Sequence, residues 1–596
     1  MRAKRALQVG LVATSVGLAT ALGLASHDAP AQTSPPAAVL AGAAFEAPTF
    51  GDETTAADTV PGEILVDLKD DATPADIADL DAKVGVVMHP SSAWSTTHDL
   101  LEVADVDPAA EPAILDALSR DARVEHAEPM ALYRATFVPD DPLYESKQWH
   151  LKRVGAETAW SYTCGSGVTV ADIDTGVACF DKGPFSRGTD LAGTRCSGGW
   201  NFVDDNAEAA DDHGHGTHVA GTIAQTTNNG MGTAGLAFCA TLMPIKVLSR
   251  QGFGSTANVA EGIRFAADNG AQVINLSLGG PIKSKILEDA VDHALSKGVV
   301  IVAAAGNSGR SVGWPAAYPG VIAVSATDDK DRIAWFSSRG PEVGIAAPGV
   351  AVTQQTICNG GKDKCEIFGT FNGTSMASPH VAGAAAMIEG LGVTDVSAVR
   401  EALTSTARPM DDAKLYGAGI LDVGAAASHV FWSHLIVRIV ALVGLAWLVF
   451  RRIRKRGGKT VRGVGLVVGG LVTSVGLLPI LPLLRLAPGS LRTVLELAAR
   501  PLGEWDLVLA GAGLHRWLLL ASAGPAIALA LLGFTSRRLR PVIAGLAIGT
   551  AALLVQLAWS GDTAFVAGPT LGRLWAVGNA LVCLWLARIA GQTDRA

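Results

Sequence analysis

Three short motifs in the middle of the chain contain residues that could share one proton-transfer reaction. Asp174 follows an apolar strand pattern and precedes Thr-Gly, and a carboxylate held there can accept a hydrogen bond from an imidazole. His215 lies in a His-Gly-Thr-His run, whose small residues let a histidine begin a helix packed closely against a sheet. Ser375 lies at the mouth of a predicted helix, where backbone N–H groups and the positive end of the helix dipole surround its oxygen.

Each of these residues has a neighbour of the same type. Asp172 lies on the same strand face as Asp174, but the Thr-Gly turn favours Asp174 because it releases that side chain into a crevice. His218, one turn into its helix, is expected to be structural, as are Ser378 and His380. The cluster of histidines around His218 suggests a metal site, but it lacks a His-Glu-x-x-His pattern, so a metal is disfavoured.

The motifs must be positioned by the secondary structure around them. Between about 140 and 428, short β-branched runs alternate with helical patterns. This rhythm predicts an α/β fold, a parallel sheet covered by helices on both faces. Ligands of such sheets gather at the carboxyl ends of the strands, which is where the motifs fall. Strands are predicted at 168–173, 273–278, 299–304 and 321–324, and helices at 257–269 and 286–297.

The order of the three motifs, Asp-Thr-Gly, His-Gly-Thr-His-Val-Ala-Gly and Gly-Thr-Ser-Met-Ala-Ser-Pro-His, resembles the subtilisin family of serine proteases, the subtilases. Two intervening segments also match. Residues 277–280 are similar to the family's substrate-pairing strand and pocket wall, and residues 304–307 to its oxyanion asparagine segment. The resemblance covers about 140–425 and ends in the closing element 417–422.

The resemblance implies a serine endopeptidase that needs no cofactor for catalysis and acts on protein or peptide substrates. His215 would take the proton of Ser375, Asp174 would hold the imidazole, and Asn307 would donate to the oxyanion. Gly313 resembles the floor of the first specificity pocket and would leave room for a large side chain. The residues implied for substrate binding are Ser277, Leu278, Gly279, Ala305, Gly306 and Gly313.

The residues before the central domain are predicted to serve export and to inhibit the enzyme before it is processed. Residues 1–31 have the basic start, apolar run and small residues of a signal peptide, with an uncleaved anchor as the alternative, and 32–59 form an Ala/Pro/Thr-rich spacer. Residues 60–135 show a strand–helix–strand–helix–strand α+β pattern that resembles the family's inhibitor propeptide, with cleavage expected between about Tyr133 and Pro139. Asp141 resembles a calcium-ligand position, so structural calcium is a hypothesis without a recognisable loop.

Six of the seven cysteines lie in the part expected to be exported, and an even number in an oxidising compartment favours disulfides. Cys358 and Cys365 bracket a short polar loop, and Cys179 and Cys196 bracket a Gly-rich one. Local pairing of these would leave Cys164 with Cys239. The sequence alone does not fix connectivity, so this pairing is a hypothesis.

Residues 429–596 change to Leu/Val/Ala/Gly runs separated by basic turns and predict an all-α membrane domain. With five spans, the basic clusters 451–459 and 537–540 fall on one side, which the positive-inside rule makes cytoplasmic. The central domain then lies on the extracytoplasmic side of the cell membrane. Almost no linker separates it from the first predicted span, which favours substrates at or near the same membrane. Arg438 is expected to snorkel, and 485–516 to form an outer amphipathic segment. The predicted spans are 429–450, 463–484, 517–534, 541–559 and 571–589.

The formal charge of −9 and the lack of a basic stripe disfavour a nucleic-acid partner. The expected partners are substrates, the chain's own propeptide and the lipid bilayer. One rival is a transporter or scaffold with a vestigial protease domain, but no predicted span carries an acidic residue. The other is a secreted enzyme released by cleavage near 425–428.

Overall fold

A computed structural model of the protein describes residues 59–69, 71–92, 95, 100–131, 138–480, 492–562 and 569–593. The chain divides into two compact units, Met1–Ala135 and Thr136–Ala596. The predicted signal peptide, nearly all of the spacer and most of the expected cleavage segment lie outside the described residues.

In its described residues, the N-terminal unit is a four-stranded antiparallel sheet in the order β2-β3-β1-β4 with two helices. Alternate residues Ile64, Val66 and Leu68 of the first strand are buried with Leu80 and Leu118 from the helices. The predicted α+β pattern is therefore present. Its elements are β1 Thr59–Leu68, α1 Pro74–Val84, β2 His89–Pro90, β3 Leu101–Asp105, α2 Glu111–Ser119 and β4 Val124–Ala131.

The central domain (138–428) is built on a parallel sheet in the order β12-β11-β10-β9-β5-β8-β6, with β7 also paired to β8. The chain runs from β5 to β8 on one side and then crosses to β9 on the other. A crevice therefore opens where the strand order reverses. The strands are β5 Thr169–Asp174, β6 Arg195–Cys196, β7 Trp200–Asn201, β8 Thr241–Lys246, β9 Val273–Leu276, β10 Val300–Ala304, β11 Ile322–Thr327 and β12 Val343–Pro348.

Helices cover both faces of this sheet, as predicted, so neighbouring strand residues enter different cores. Val170 packs into one core with Val302, whereas Ala171 and Ile301 pack into the other. An antiparallel pair, β13 Val352–Gln355 and β14 Phe368–Phe371, lies outside the sheet. The helices are α3 Tyr144–Lys147, α4 Trp149–Arg153, α5 Ala156–Trp160, α6 His215–Ala224, α7 Thr256–Asp268, α8 Lys285–Ser296, α9 Thr374–Gly390, α10 Val396–Ser405 and α11 Ala413–Tyr416.

Where the C-terminal tail (429–593) is described, it is all-α apart from one short strand pair. Three of the described helices, α12, α18 and α19, are long and apolar enough to cross a membrane. The strand pair, β15 Lys459–Thr460 with β16 Gln592–Thr593, joins the ends of α12 and α19. The helices are α12 Val423–Lys455, α13 Val464–Ser474, α14 Arg492–Ala499, α15 Trp505–Ala510, α16 Ala512–His515, α17 Gly524–Gly533, α18 Arg540–Ser560 and α19 Pro569–Ala590.

Two of the five predicted spans do not form full-length helices. Within the described residues, the run 463–484 contains only α13, of 11 residues, and the run 517–534 contains only α17, of 10 residues. A helix of 11 residues is about 16 Å long, roughly half the hydrocarbon core of a bilayer. Gly476 ends the first run with a left-handed backbone (φ 88°) and donates its N–H to Leu471 O. In the second run, Pro525 lies in the first turn of α17, a position where proline favours the start of a helix.

The predicted boundary between central domain and tail, at Ser428, falls inside a continuous helix. α12 begins in the core of the central domain, where Val423, Ala426 and Val430 are buried, and continues into the tail. Arg438 does not snorkel. It is buried and donates to Glu504 Oε1 at 2.6 Å and to Gln556 Oε1 at 2.7–2.9 Å, because the 500–506 segment folds back against α12 and α18.

Candidate active site

Asp174 is the last residue of β5 and points into the crevice at the carboxyl edge of the sheet. Its side chain is fully buried, and its Oδ1 accepts the Thr175 N–H at 2.7 Å. The same oxygen lies 2.7 Å from His215 Nδ1. A carboxylate in this position fixes the ring orientation and makes Nδ1 the protonated nitrogen, which leaves Nε2 as the basic one.

His215 begins α6 so close to β5 that only glycine fits beside it. A Cβ added to Gly216 would lie 2.2 Å from Gly176 O. The Gly216 N–H also donates to Thr175 Oγ1 at 2.9 Å. The glycines of the His-Gly-Thr-His run therefore allow the contact between His215 and Asp174.

The charge state of His215 follows from its surroundings. Burial of the imidazole acts to lower its pKa, but the charge of Asp174 and the hydrogen bond to it outweigh burial, so the pKa of His215 lies above 6.5. Its side chain is 22% exposed, so the ring is still open to the crevice. The arrangement stabilises a protonated imidazole, as a general base requires after it has taken a proton.

Asp211 also supports the loop that carries His215, a role that was not predicted. It is buried, and its carboxylate accepts the N–H groups of His213, Gly214 and Thr217 and the hydroxyls of Thr175 and Thr217 at 2.7–3.0 Å. The loop before α6 is therefore wrapped around one carboxylate. In the sequence, only its position two residues before the histidine motif could have suggested this role.

Ser375 occupies the first turn of α9. Its Oγ donates to Ser277 O at 3.1 Å, and Ser277 Oγ donates to Ser375 O at 2.8 Å. These two bonds tie the end of β9 to the start of α9. Among the described residues no hydrogen bond joins Ser375 Oγ to His215, so the hydroxyl must turn from Ser277 to reach the imidazole.

Asn307 follows β10 and is held by Thr374. Its Oδ1 accepts both the N–H and the hydroxyl of Thr374 at 2.9 Å, which directs the Nδ2 donor away from Thr374. A Cβ added to Gly373 would lie 3.5 Å from Asn307 Nδ2 and 3.6 Å from Ser375 N. The Asn307 Nδ2 and Ser375 N donors therefore lie close to one point beside Gly373.

Three of the six residues implied for substrate binding line a cleft, and the other three are absent from its lining. Ser277, Leu278 and Gly279 follow β9 along the cleft, and Gly280 pairs with Trp314 in both directions at 2.9 Å. A Cβ on Gly313 would lie 3.1 Å from Gly280 O, so only a glycine leaves this wall open. Ala305 and Gly306 lie behind the wall, where Gly313 N donates to Ala305 O.

A cavity of about 570 Å³ in this cleft extends from His215 towards Trp314. Both polar and apolar residues line it, including 277–280 after β9. An extended peptide can bind to such a surface through its backbone while its side chains enter pockets. The remaining lining of the cavity includes Leu248, Gly252, Phe253, Gly254, Val259, Pro281, Ile282 and Leu287.

The four residues that resembled the proposed site residues in the sequence make different contacts. They are Asp172, Ser378, His218 and His380. Asp172 is buried beside Asn275, and burial together with the charge of Asp174 raises its pKa well above the usual range. Ser378 donates to Asn275 Oδ1 at 2.7 Å. His218 Nε2 faces two backbone carbonyls, and burial lowers its pKa to about 3. His380 contacts Met376 O and His150.

Asp141 is the residue for which the sequence suggested structural calcium. Among the described residues, no group of three or more His, Cys, Asp or Glu side chains could hold a metal. Asp141 Oδ2 accepts the Asn228 N–H at 2.7 Å, whereas its buried Oδ1 has no hydrogen-bond partner in the described chain. Asp190 lies within electrostatic range and accepts Asn229 Nδ2 at 2.8 Å. Carboxylate and amide oxygens suit calcium.

The structure has the three predicted disulfides. They are Cys164–Cys239, Cys179–Cys196 and Cys358–Cys365. Cys583 is free and buried in the tail.

Comparison with known proteins shows that residues 165–419 match the family described as the Subtilase family. The chain is similar to a thermophilic serine proteinase of Bacillus sp. strain AK1, with 38% identity over 58% of this chain and 82% of that protein. It is 40% identical to thermitase of Thermoactinomyces vulgaris, over 47% of this chain and 96% of that protein. It is 45% identical to subtilisin DY of Bacillus licheniformis, over 44% of this chain and 92% of that protein.

The parallel sheet, the residues at its carboxyl edge and these relatives define a serine endopeptidase with an α/β fold. The chain belongs to the subtilase family. The match to the family ends at residue 419, before the tail begins.

Proposed function

We propose that the protein hydrolyses peptide bonds of exported or surface proteins through Asp174, His215 and Ser375, on the outer face of the cytoplasmic membrane. The observation that carries the catalytic part is the 2.7 Å contact between Asp174 Oδ1 and His215 Nδ1 beside the start of α9. His215 Nε2 accepts the Ser375 proton as Oγ attacks the carbonyl carbon, and then donates it to the leaving amine.

The oxyanion of the tetrahedral intermediate is stabilised by Asn307 Nδ2 and the Ser375 N–H. Thr374 supports this role because it occupies the Oδ1 of Asn307 and so leaves the amide hydrogens pointing at the site. A neutral, preoriented donor stabilises the new negative charge without reorganisation. Substrate backbone would pair with the residues after β9, and this pairing would compete for Ser277 O and free the Ser375 hydroxyl.

Ser375→Ala tests the catalytic proposal and the zymogen proposal together. We expect the variant to keep residues 60–135 attached and to produce no new protein termini, because the attacking hydroxyl is missing. The measurement is mass-spectrometric profiling of cleaved termini, including the chain's own. Ser378→Ala, which removes a buried hydroxyl one turn along α9, is the matched control and should still be processed. Normal trimming of Ser375→Ala would mean that another protease removes the propeptide.

Membrane tethering is supported by the outward faces of the tail. α12 exposes Ile436, Val440, Val443 and Trp447, at helical spacing along one side. Exposed apolar stripes of this length are stable against lipid and costly in water. The Lys and Arg clusters lie at the end of the tail opposite the central domain, which the positive-inside rule assigns to the cytoplasm. Retention of the active protein in membranes washed with alkaline carbonate tests the tether, whereas activity released into the wash would favour the secreted alternative.

We further propose that Asp141 and Asp190 hold a structural calcium ion. The ion would supply the partner that the buried Asp141 Oδ1 lacks and would tie the start of the central domain to the 226–233 loop. Removing calcium with a chelator should lower the melting temperature of the wild type, because binding to the folded state adds stability. Asp141→Asn should shrink that shift. An unchanged melting temperature in chelator would contradict the site.

A further inference from the structure

The end of the tail opposite the central domain contains a cavity of about 370 Å³ between three helices. Arg540 at the start of α18 and Arg588 near the end of α19 both line it. Its size falls in the range of small-ligand pockets, about 300–1,000 Å³. The other lining residues are Phe534, Trp585, Ile589 and Gln592.

The cavity lies in a strongly cationic region. Eleven Lys and Arg residues occur in 451–462, 537–540 and at Arg588, and the sequence has no Asp or Glu in 439–495, 507–561 or 563–593. Arg588 is within electrostatic range of Arg452 and Arg456. Like charges gathered around a cavity repel one another, so an anion bound there would be stabilised by several guanidinium groups at once.

The walls of the cavity combine charge with apolar surface. The Arg540 guanidinium lies 5.3 Å from the centre of the Phe534 ring, and its Nε donates to Phe534 O at 3.3 Å. These contacts fix the guanidinium plane on one wall. Trp585, which lines the cavity, and Leu581, one turn before it on α19, are both exposed. A headgroup in the cavity would therefore leave its acyl chains against an apolar helix face.

We propose that this cavity binds the phosphodiester headgroup of an anionic phospholipid in the cytoplasmic leaflet. Planar guanidinium groups match phosphate oxygens in pairs, and tryptophan is favoured at the boundary between headgroups and acyl chains. The site would fix the tail in the bilayer through one lipid, in addition to the diffuse attraction of the surrounding charges. The inference rests on the proposed membrane location and not on the catalytic proposal.

The test uses the full-length protein in detergent with phosphatidylglycerol or phosphatidylcholine, and native mass spectrometry to count and rank bound lipids. We expect one phosphatidylglycerol to be retained more tightly than any phosphatidylcholine. Arg540→Gln with Arg588→Gln should weaken that binding by about 25-fold, since each basic residue near an anionic lipid contributes about 1 kcal/mol, a factor of about five.

The matched control is Arg537→Gln with Arg538→Gln, which removes the same charge from exposed positions outside the cavity. An equal loss in both double variants, or equal retention of the two lipids, would overturn the site. Arg540→Lys with Arg588→Lys keeps the charge, and we expect an intermediate loss if the planar guanidinium matters. Displacement of the lipid by millimolar inorganic phosphate would instead identify a free phosphate site. Peptidase activity of the wild-type sample separates a failure of this inference from a failure of the catalytic proposal.

Discussion

At the residue scale, the site depends on one carboxylate that stabilises one imidazolium. The contact between Asp174 and His215 raises the His215 pKa in spite of burial. Because catalysis needs the neutral imidazole as base, a raised pKa places the acidic limb of the activity profile above the ordinary histidine value. The same contact provides the partner for the proton that the imidazole takes up.

Asp174→Asn should therefore have two effects. The turnover number should fall by about 10⁴-fold, the loss known for an amide in this position, because the amide favours the wrong tautomer. The acidic limb of kcat/KM should also move to lower pH, because the negative charge that raises the His215 pKa is gone. Both are measured with a soluble peptide, on protein whose propeptide is removed at an inserted site for an unrelated protease.

Asp172→Asn is the control for this prediction. Asp172 contacts Asn275 and lies outside the imidazole's hydrogen bonds, so the acidic limb should stay where it is in the wild type. A shift of the limb in Asp172→Asn and none in Asp174→Asn would show that the assignment of the two carboxylates is wrong.

At the element scale, α9 links the proposed nucleophile to the tail. Ser375 lies in its first turn, whereas Glu389 at its other end lies 3.6 Å from Arg516 of the tail, whose Nη1 also donates to Lys297 O. Nearby, Asp562 Oδ1 accepts the N–H groups of Thr394 and Asp395 before α10 at 2.9–3.0 Å. The tail is thus packed on the end of the helix that carries Ser375.

Glu389 should make the stability of this junction depend on pH. Burial, together with the charge of Asp562 and in spite of Arg516, raises the Glu389 pKa from 4.5 to about 8. Below about pH 4.5 Glu389 is protonated in both the folded and the unfolded state, and its favourable contribution to the stability of the folded state is fully present. Between 4.5 and 8 only the folded state holds the proton, so stability falls as the pH rises, by about 1.4 kcal/mol for each pKa unit of difference.

Glu389→Gln removes this titration, so the melting temperature of the variant should change less than that of the wild type between pH 5 and pH 8. Thermal unfolding of the full chain in detergent at several pH values measures the slope. Glu401→Gln, which replaces an exposed acid on α10, should keep the wild-type slope. A Glu389→Gln slope equal to that of the wild type would mean that the carboxylate is ionised in the folded protein.

At the scale of the whole molecule, the proposed active site and the tail are separated by the length of α9. The sixteen residues from Ser375 to Gly390 span about 22 Å of helix, and Gly390 O accepts a hydrogen bond from Arg500 of the tail. The sequence has almost no linker before the first predicted span, which favours substrates at or near the same membrane. The structure agrees, because α12 is continuous through this boundary. It also holds Ser375 at the end of α9 far from the contact with Arg500.

We therefore expect a minimum distance between a cut site and the membrane. In a membrane-anchored reporter, a site about ten or more residues from the span should be cleaved, since an extended chain covers about 3.3 Å per residue and must also fill the cleft. A site within about five residues of the span should resist cleavage. The same peptides without an anchor should be cut equally well. Cleavage that does not depend on the spacing would contradict the rigid arrangement.

The sequence by itself determined which residue types meet at the sheet edge. Its periodicity predicted the parallel sheet with two covered faces, and the position of each motif after a strand predicted a common crevice, because parallel strands end at one edge. Two disulfide pairs were predicted from short bracketed loops, and the third, Cys164–Cys239, by elimination; all three remained a hypothesis until the structure showed them. Apart from that third pair these features are local, so a single sequence contains them.

The tertiary structure decided the contacts that join distant parts of the chain. The Thr-Gly turn favoured Asp174 over Asp172, which lies on the same strand face. The fold gives the two carboxylates their different partners, His215 for Asp174 and Asn275 for Asp172. It also placed Asp211 under the loop before α6, shortened two apolar runs to α13 and α17, and buried Arg438 against Glu504. Hydropathy measures the preference of a segment for lipid or protein but does not identify the partner that a buried charge will find across the fold.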